Sequence, residues 1–300
     1  MKHILFLILA SLLILPSASA QKKSTSAPQQ MKGLYLAVDA GLVIPDASSA
    51  GFYGGKPGVN ANTIDRVLKS ELYGSQIWSR LVELGQISPS AIGSYREFQV
   101  VEYPRMYYKL SYQLGVGLRY IYSRGWGWIL RFDYAQLAAA GQFNISSSNG
   151  SGILGSNQYV TCDIYGTEKR TLIDFGITKR IPLTQMMDLE LDLGFNLNGV
   201  KVQKNGIVVG GQQYSILDVW GGATPYSGIG TYEYINEGLF GYGGFGTVAI
   251  SYMAGVGSID FGYNLYYTQT KFVSYNESDS YGLQHNIFLR FNVNNFKLFD

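Results

Sequence analysis

Apolar and polar residues alternate with a period of two along most of the chain, in runs of about ten residues that are longer than an ordinary strand. Residues 108–120 are the clearest run, since the even positions are apolar or Tyr and the odd positions are Lys, Ser, Gln, Gly or Arg. After a short turn at 123–125, the pattern resumes at Trp128. Together these two runs predict a long antiparallel hairpin.

The same alternation recurs along the rest of the chain, which predicts eight strands in all. They are residues 31–43, 108–120, 128–134, 171–181, 188–200, 243–252, 258–268 and 284–293, and 243–252 has the weakest pattern. Long connections alternate with short ones. The long connections are 44–105, 144–170, 201–242 and 269–282, and the short ones are 123–126, 182–187 and 253–257. An even strand number with short turns at one end and long loops at the other is typical of bacterial outer-membrane barrels.

A soluble β-sandwich or a lipocalin-type barrel is the alternative, because alternation alone does not say which face meets water. Two features favour the membrane barrel. Aromatic residues lie near the strand ends on the apolar face, as an interfacial girdle requires. Small residues recur on the polar face, as a narrow lumen requires; they are Gly115, Gly117, Gly176, Gly194 and Gly262. We therefore expect an all-β fold, an eight-stranded antiparallel up-and-down transmembrane β-barrel with short periplasmic turns, long extracellular loops and a helical insertion in the first loop.

The first residues have the pattern of an export signal. Residues 1–20 combine a basic start, a short apolar run and small residues at Ala18 and Ala20, which predicts a cleaved signal peptide. Residues 21–30 are polar and predict a flexible periplasmic tail. The barrel is then predicted over residues 31–300, with 44–105 as its long first loop.

In strand texture and architecture the chain resembles the small outer-membrane barrels of the OmpA transmembrane-domain type and the PorT-like type. The resemblance covers about residues 31–299 and rests on no diagnostic motif. Phe299 is similar to the terminal aromatic residue that such barrels present to their assembly machinery, but it departs from their pattern because it is penultimate. The resemblance implies a porin-like protein in the outer membrane of a Gram-negative cell envelope.

Composition excludes several other classes. Only 15% of residues are charged and the formal net charge is +2, so no basic face large enough for nucleic acid is implied. Cys162 is the single cysteine, which rules out an intramolecular disulfide. The residues suggest no metal site and no cofactor.

The interior of an eight-stranded barrel is filled by side chains, so inward charges must pair with one another. By alternation, the charges predicted to point inward carry both signs. They are Asp39, Lys109, Arg119, Arg131, Asp133, Asp174, Glu190, Asp192, Asp260 and Arg290. A buried ionic network that specifies strand register is the favoured interpretation, and a proton or ion path is the alternative.

A catalytic role would centre on His285, the one histidine beyond the signal, with Ser278 and Ser280 nearby. Its parity places it on the lipid-facing side at the outer rim. We therefore expect no enzyme, with a lipid-A-modifying enzyme or a small-solute channel as alternatives.

Two loops are candidates for binding a partner. Apolar residues at mostly helical spacing in 62–83, with Asn62 as a plausible N-cap, predict one or two short amphipathic helices. Their apolar face, with Ile64, Leu68 and Leu72, could serve as a lid, a plug or a partner-binding surface. The third loop has aromatic residues among glycines, a composition typical of binding loops. These aromatic residues include Trp220, Tyr226 and Tyr232. The expected function is a non-enzymatic protein whose loops bind outer-membrane lipopolysaccharide, a surface protein or a component of a secretion or assembly complex.

Overall fold

The computed structural model describes residues 32–60, 63–90, 92–146, 159–217, 238–254, 257–272 and 281–293. The predicted signal peptide and periplasmic tail lie outside these residues. The strands, in chain order, are β1 Gly33–Ile44, β2 Val100–Glu102, β3 Tyr107–Tyr108, β4 Ser111–Ser123, β5 Trp126–Ser146, β6 Tyr159–Pro182, β7 Met187–Val209, β8 Gln212–Ser215, β9 Phe240–Ala254, β10 Gly257–Gln269 and β11 Tyr281–Val293. The helices are a 3-10 helix Ser48–Gly54, α1 Ile64–Lys69, α2 Gly74–Glu83 and a 3-10 helix Tyr95–Glu97.

Eight of these strands form a closed antiparallel ring in which neighbours along the ring are also neighbours along the chain. The ring closes at β1, which pairs with both β4 and β11. In that closing register Asp39 lies opposite Gly115 on one side and Arg290 on the other. The predicted eight-stranded up-and-down barrel is confirmed, including the weakly patterned strand that becomes β9.

Three strands are much longer than predicted. β5, β6 and β7 contain 21, 24 and 23 residues, whereas about 9–11 residues cross a bilayer. Residues 144–146 and 159–170, which lie in the predicted connection 144–170, are strand, and β5 also includes residues 135–143 beyond the predicted strand 128–134. The third predicted loop is shortened too, because β7 continues to Val209 and turns back into β8.

The extensions escaped the sequence pattern because the polarity of the two faces reverses along each strand. Below Tyr134, the outward positions of β5 are large and apolar. Above it, the outward positions are Gln, Ala, Asn or Ser, and Phe143 and Ile145 are buried on the inner face. In β7 a bulge adds to the change, since Thr167 pairs with Lys204 whereas Glu168 pairs with Val202. The extra residue shifts the alternation by one position.

The first long connection folds against the inner side of the extended strands. We call residues 48–98, together with the strand extensions that they cover, the head. Its core joins α1 and α2 to inward side chains of β5, β6 and β7. Trp78 ties α2 to the later part of segment 48–98, because its indole N–H donates to the Ile92 carbonyl at 2.9 Å.

The predicted helical segment is two helices. Thr63 caps α1, since its hydroxyl accepts from the Arg66 amide at 3.3 Å; the predicted cap, Asn62, lies outside the described residues. α2 ends before Gly85, which has a φ of 66° that favours glycine. Within the described part of the chain, no helix is long and apolar enough to cross a bilayer.

The head core predicts a contrast between two leucines. Leu68 is fully buried and Leu84 is 43% exposed. Leu68→Ala leaves a cavity that costs about 2–5 kcal/mol, so we expect amide exchange in α1 and α2 to rise by at least about tenfold. Leu84→Ala serves as the control and should leave exchange nearly unchanged. Equal exchange in the two variants would show that the head is not packed as described.

Candidate functional site

The lumen at the short-turn end is organised around one buried carboxylate. Glu190 accepts hydrogen bonds from three arginines: Arg119 through both terminal nitrogens, Arg290 at 2.8 Å and Arg180 at 3.2 Å. Asp192 lies 3.2 Å from Arg119, and Asp260 lies 3.8 Å from both Arg119 and Arg290. Three positive and three negative charges therefore balance within one cluster.

A second cluster fills the middle of the lumen. Arg131 bonds to Asp174, with Nε at 2.9 Å, and also reaches Asp133 at 3.0 Å and the Tyr266 hydroxyl at 2.8 Å. Asp39 approaches Asp133 above Gly115, where a Cβ would meet both carboxylates. The absence of a side chain at Gly115 thus makes room for these acids.

The third cluster joins the lumen to the head. Arg170 donates from Nε to Glu168 at 2.6 Å and from its terminal nitrogens to Gln284 and Ser49, each at 3.0 Å. The Tyr53 hydroxyl donates to Glu168 at 2.6 Å. Because Ser49 and Tyr53 belong to the first 3-10 helix, that segment plugs the loop end of the lumen.

Burial keeps the Tyr53 hydroxyl protonated. Loss of water raises the pKa of Tyr53 well above its usual range, and the negative charge of Glu168 adds to the shift. The phenol therefore remains a hydrogen-bond donor at any physiological pH.

Most charges predicted to point inward are buried in the barrel interior. These are Asp39, Arg119, Arg131, Asp133, Asp174, Glu190, Asp192, Asp260 and Arg290. Lys109 is the exception and corrects the prediction, because it is exposed. Tyr108 points inward from β3 and Ser111 begins β4 on the inner face, so the two residues between them both face outward.

The structure also brings in charges that the sequence reasoning missed. Arg180 lies at an even position of the predicted strand 171–181, so the same alternation would have found it. Glu168 and Arg170 fall outside the predicted charge network because the pattern predicts a loop over residues 144–170. Because Glu168 and Arg170 lie an even number of residues from Asp174 on β6, both point to the same inner face as Asp174.

The candidate partner-binding residues of the first loop pack against other residues of the protein itself. Ile64 and Leu68 are fully buried in the head core, and Leu72 packs against the same core. This corrects the interpretation of their face as a surface for a partner, because the strand extensions cover it. Trp220, Tyr226 and Tyr232 lie outside the described residues.

His285 lies on the outward face of β11. Its Nδ1 is in hydrogen-bond contact with the Tyr263 hydroxyl, and the two rings are 6.0 Å apart. Ser278 and Ser280 lie outside the described residues. Among the described side chains, no group of three or more His, Cys, Asp or Glu is arranged to hold a metal ion.

The head carries an open cleft between α2 and the β7–β8 hairpin. The cleft has a volume of about 390 Å³ and is lined by Tyr73, Gln76, Arg80, Glu83, Gln213 and Tyr214, among others. Arg80 is fixed by a hydrogen bond from Nε to the Gly210 carbonyl at 3.1 Å and an ion pair with Glu83 at 2.9 Å. Tyr73 and Tyr214 meet edge to face with centroids 5.4 Å apart. Aromatic, amide and charged groups thus converge on one opening.

The polarity of the ring defines the class of protein. Outward residues at mid-height are large and apolar; Leu193 is 65% and Phe195 78% exposed on the isolated chain. The inner face carries paired charges instead, which is the reverse of a water-soluble barrel. Among β-sheets, only a closed ring gives every backbone N–H and C=O group a hydrogen-bond partner in hydrocarbon. The chain is an integral outer-membrane β-barrel protein, and its loop end, with the head, is extracellular.

Comparisons with known proteins found similar chains among solved structures. No family model and no curated protein matches the sequence. Solved structures with a similar fold include Neisserial surface protein A (9% identity, 87% of this chain and 97% of that chain, TM-score 0.35). They also include the outer-membrane protein OprG from Pseudomonas aeruginosa (10%, 90% and 100%, TM-score 0.36) and the attachment invasion locus protein Ail of Yersinia pestis (12%, 87% and 99%, TM-score 0.32).

Two lumen glycines on one strand test the packing of the middle cluster. A Cβ at Gly115 meets the Asp39 and Asp133 carboxylates, whereas at Gly117 the nearest atom is the Leu130 carbonyl oxygen at 3.3 Å. Gly115→Ala should lower the free energy of unfolding by about 1–3 kcal/mol through overpacking, measured by urea titration in detergent. Gly117→Ala adds the same methyl group and should cost clearly less. Equal costs would contradict the described packing.

Proposed function

We propose that this chain is a non-enzymatic outer-membrane protein that binds an envelope or surface partner through its extracellular head. The observation that carries the proposal is the construction of the head. Three strands rise beyond the bilayer, a long insertion folds into their concave side, and Ser49 and Tyr53 anchor it to Arg170 and Glu168 in the lumen. The result is a rigid surface held outside the cell.

The lumen supports a structural role over transport. Its three charged clusters are buried and each contains an arginine–carboxylate ion pair, and the first 3-10 helix covers their extracellular end. An ion would have to separate bonded pairs in order to pass. Removing one partner from a buried pair costs several kcal/mol, so the clusters oppose conduction while they fix the register of the strands.

The cleft is the part of the head best suited to a ligand. Tyr73 and Tyr214 offer aromatic edges, and Gln76, Gln213 and Arg80 offer hydrogen-bonding groups. Adaptable amides beside rigid aromatic rings suit polar ligands rich in hydroxyl or amide groups. We infer that the partner presents such groups to the cleft.

Conductance measurements test the role of the lumen. Because the interior is filled and plugged, purified protein in a planar bilayer should show no regular single-channel steps in molar salt. Denatured protein that is added to the bilayer under the same conditions is the control for insertion artefacts. Large, uniform steps would replace the binding proposal with a channel.

The binding proposal is tested by filling the cleft. Gln76→Trp places a large side chain in the cleft, and Gln86→Trp places the same side chain at an exposed position outside it. Each variant is purified from detergent-solubilised outer membranes, and copurifying proteins and glycolipids are quantified by mass spectrometry. We expect at least one component to fall about tenfold or more with Gln76→Trp alone, a loss of roughly 1.4 kcal/mol in binding. An identical set of components with both variants would overturn the proposal.

A further inference from the structure

The outward face of the barrel carries lysines just above the bilayer. Lys169 on β6 and Lys201 on β7 are direct cross-strand partners, so their side chains lie on the same face. Lys204 follows on β7 opposite Thr167. Lys109, which the chain turns outward, lies beside β5, where its amide donates to the Ala138 carbonyl at 2.8 Å. These four residues form what we call the lysine strip.

The height of the strip follows from the strand register. Tyr134 pairs with Thr171, which pairs with Gly199, which pairs with Phe240. Tyr134 and Phe240 are outward aromatic residues at the upper end of the apolar surface. Lys169 and Lys201 come one outward position later, which is about 7 Å along a strand. The Lys169 ammonium lies 5.9 Å from the centre of the Tyr134 ring. Lys169 and Lys201 are therefore at the depth of lipid headgroups. Lys204, opposite Thr167, and Lys109, beside Ala138, lie one outward position further from the bilayer.

Among the described residues, no carboxylate balances the charges of the strip. Two like charges directly opposite each other destabilise an antiparallel pair. On the described outward positions of β5, β6 and β7, no carboxylate lies between the Tyr134 level and Asp163, which is six residues from Lys169. Six residues along a strand span about 20 Å, and Thr167, the partner of Lys204, is four residues or about 13 Å from Asp163. The register thus holds cations together where no described acid compensates them.

We propose that Lys109, Lys169, Lys201 and Lys204 bind phosphate groups of anionic lipid headgroups in the outer leaflet of the membrane. A phosphate between Lys169 and Lys201 would turn their repulsion into two charge-assisted contacts. The location at headgroup depth selects a lipid over a soluble anion. This inference depends on the placement of the barrel in the membrane and is independent of the ligand of the head.

Lipid A, a glycolipid with phosphate groups, is the probe. The mature protein is titrated in mixed micelles with purified lipid A, and bound lipid is counted by native mass spectrometry. We expect Lys169→Gln/Lys201→Gln to bind lipid A about tenfold more weakly or worse, since each lysine near an anionic surface contributes on the order of a fewfold in affinity. The control Lys56→Gln/Lys69→Gln removes the same charge from exposed positions of the head and should bind like the unchanged protein.

A stability measurement gives the proposal a second readout that a folding defect does not imitate. In nanodiscs of phosphatidylcholine, each phosphate is neutralised by the choline cation of its own headgroup, so Lys201→Gln chiefly removes a repulsion and should raise the temperature at which the barrel unfolds. In nanodiscs that contain lipid A, the same substitution removes a phosphate contact and should lower that temperature. The reversal of sign is expected for Lys201→Gln and not for Lys56→Gln.

Three outcomes would overturn the proposal. One is equal lipid A binding by the strip variant and the control. Another is a shift of the same sign in both nanodisc compositions. The third is displacement of lipid A by inorganic phosphate at concentrations similar to that of the lipid, which would make the strip a site for soluble anions. Lys169→Arg/Lys201→Arg keeps both charges and should retain binding.

Discussion

A ring of eight strands encloses a lumen that its own side chains fill, and every inward charge must therefore find a partner inside it. The rest of the structure depends on this constraint. Glu190 with its three arginines, Arg131 with its aspartates, and Arg170 with Glu168 form three successive levels between the short turns and the head. Each level links strands that are distant in sequence, so a slip of one strand would separate charges as well as hydrogen bonds.

The upper level connects the barrel to its extracellular part. Arg170 and Glu168 belong to a membrane-crossing strand, yet they bond to Ser49 and Tyr53 of the first long connection. Above them the inner face becomes apolar, and the same strands provide one wall of the head core. The barrel and the head are thus continuous, and the position of the cleft is fixed by strands that also cross the membrane.

Local alternation in the sequence predicts the eight barrel strands. It does not predict the strand extensions, because these depend on the height at which the outer face of the barrel leaves the lipid and meets water. All eight barrel strands follow from a period of two, because their outward side chains are apolar and their inward ones polar. Beyond Tyr134 the outward side meets water and the inward side meets the head, so the polarity pattern reverses and no longer predicts a strand. Lys109 was misplaced because two successive residues face outward between β3 and β4. Neither feature can be seen without knowing the tertiary neighbours.

The central claim is that one face of the barrel is covered by lipid up to a defined height. Single cysteines at Leu193 and Lys201, in a Cys162→Ala background, test it directly, because both positions face outward on β7. The cysteines are labelled on intact cells with a charged maleimide, which does not cross the membrane. We predict rapid labelling at position 201, no labelling at position 193, and labelling of both after boiling in SDS. Equal labelling at the two positions before denaturation would contradict the account.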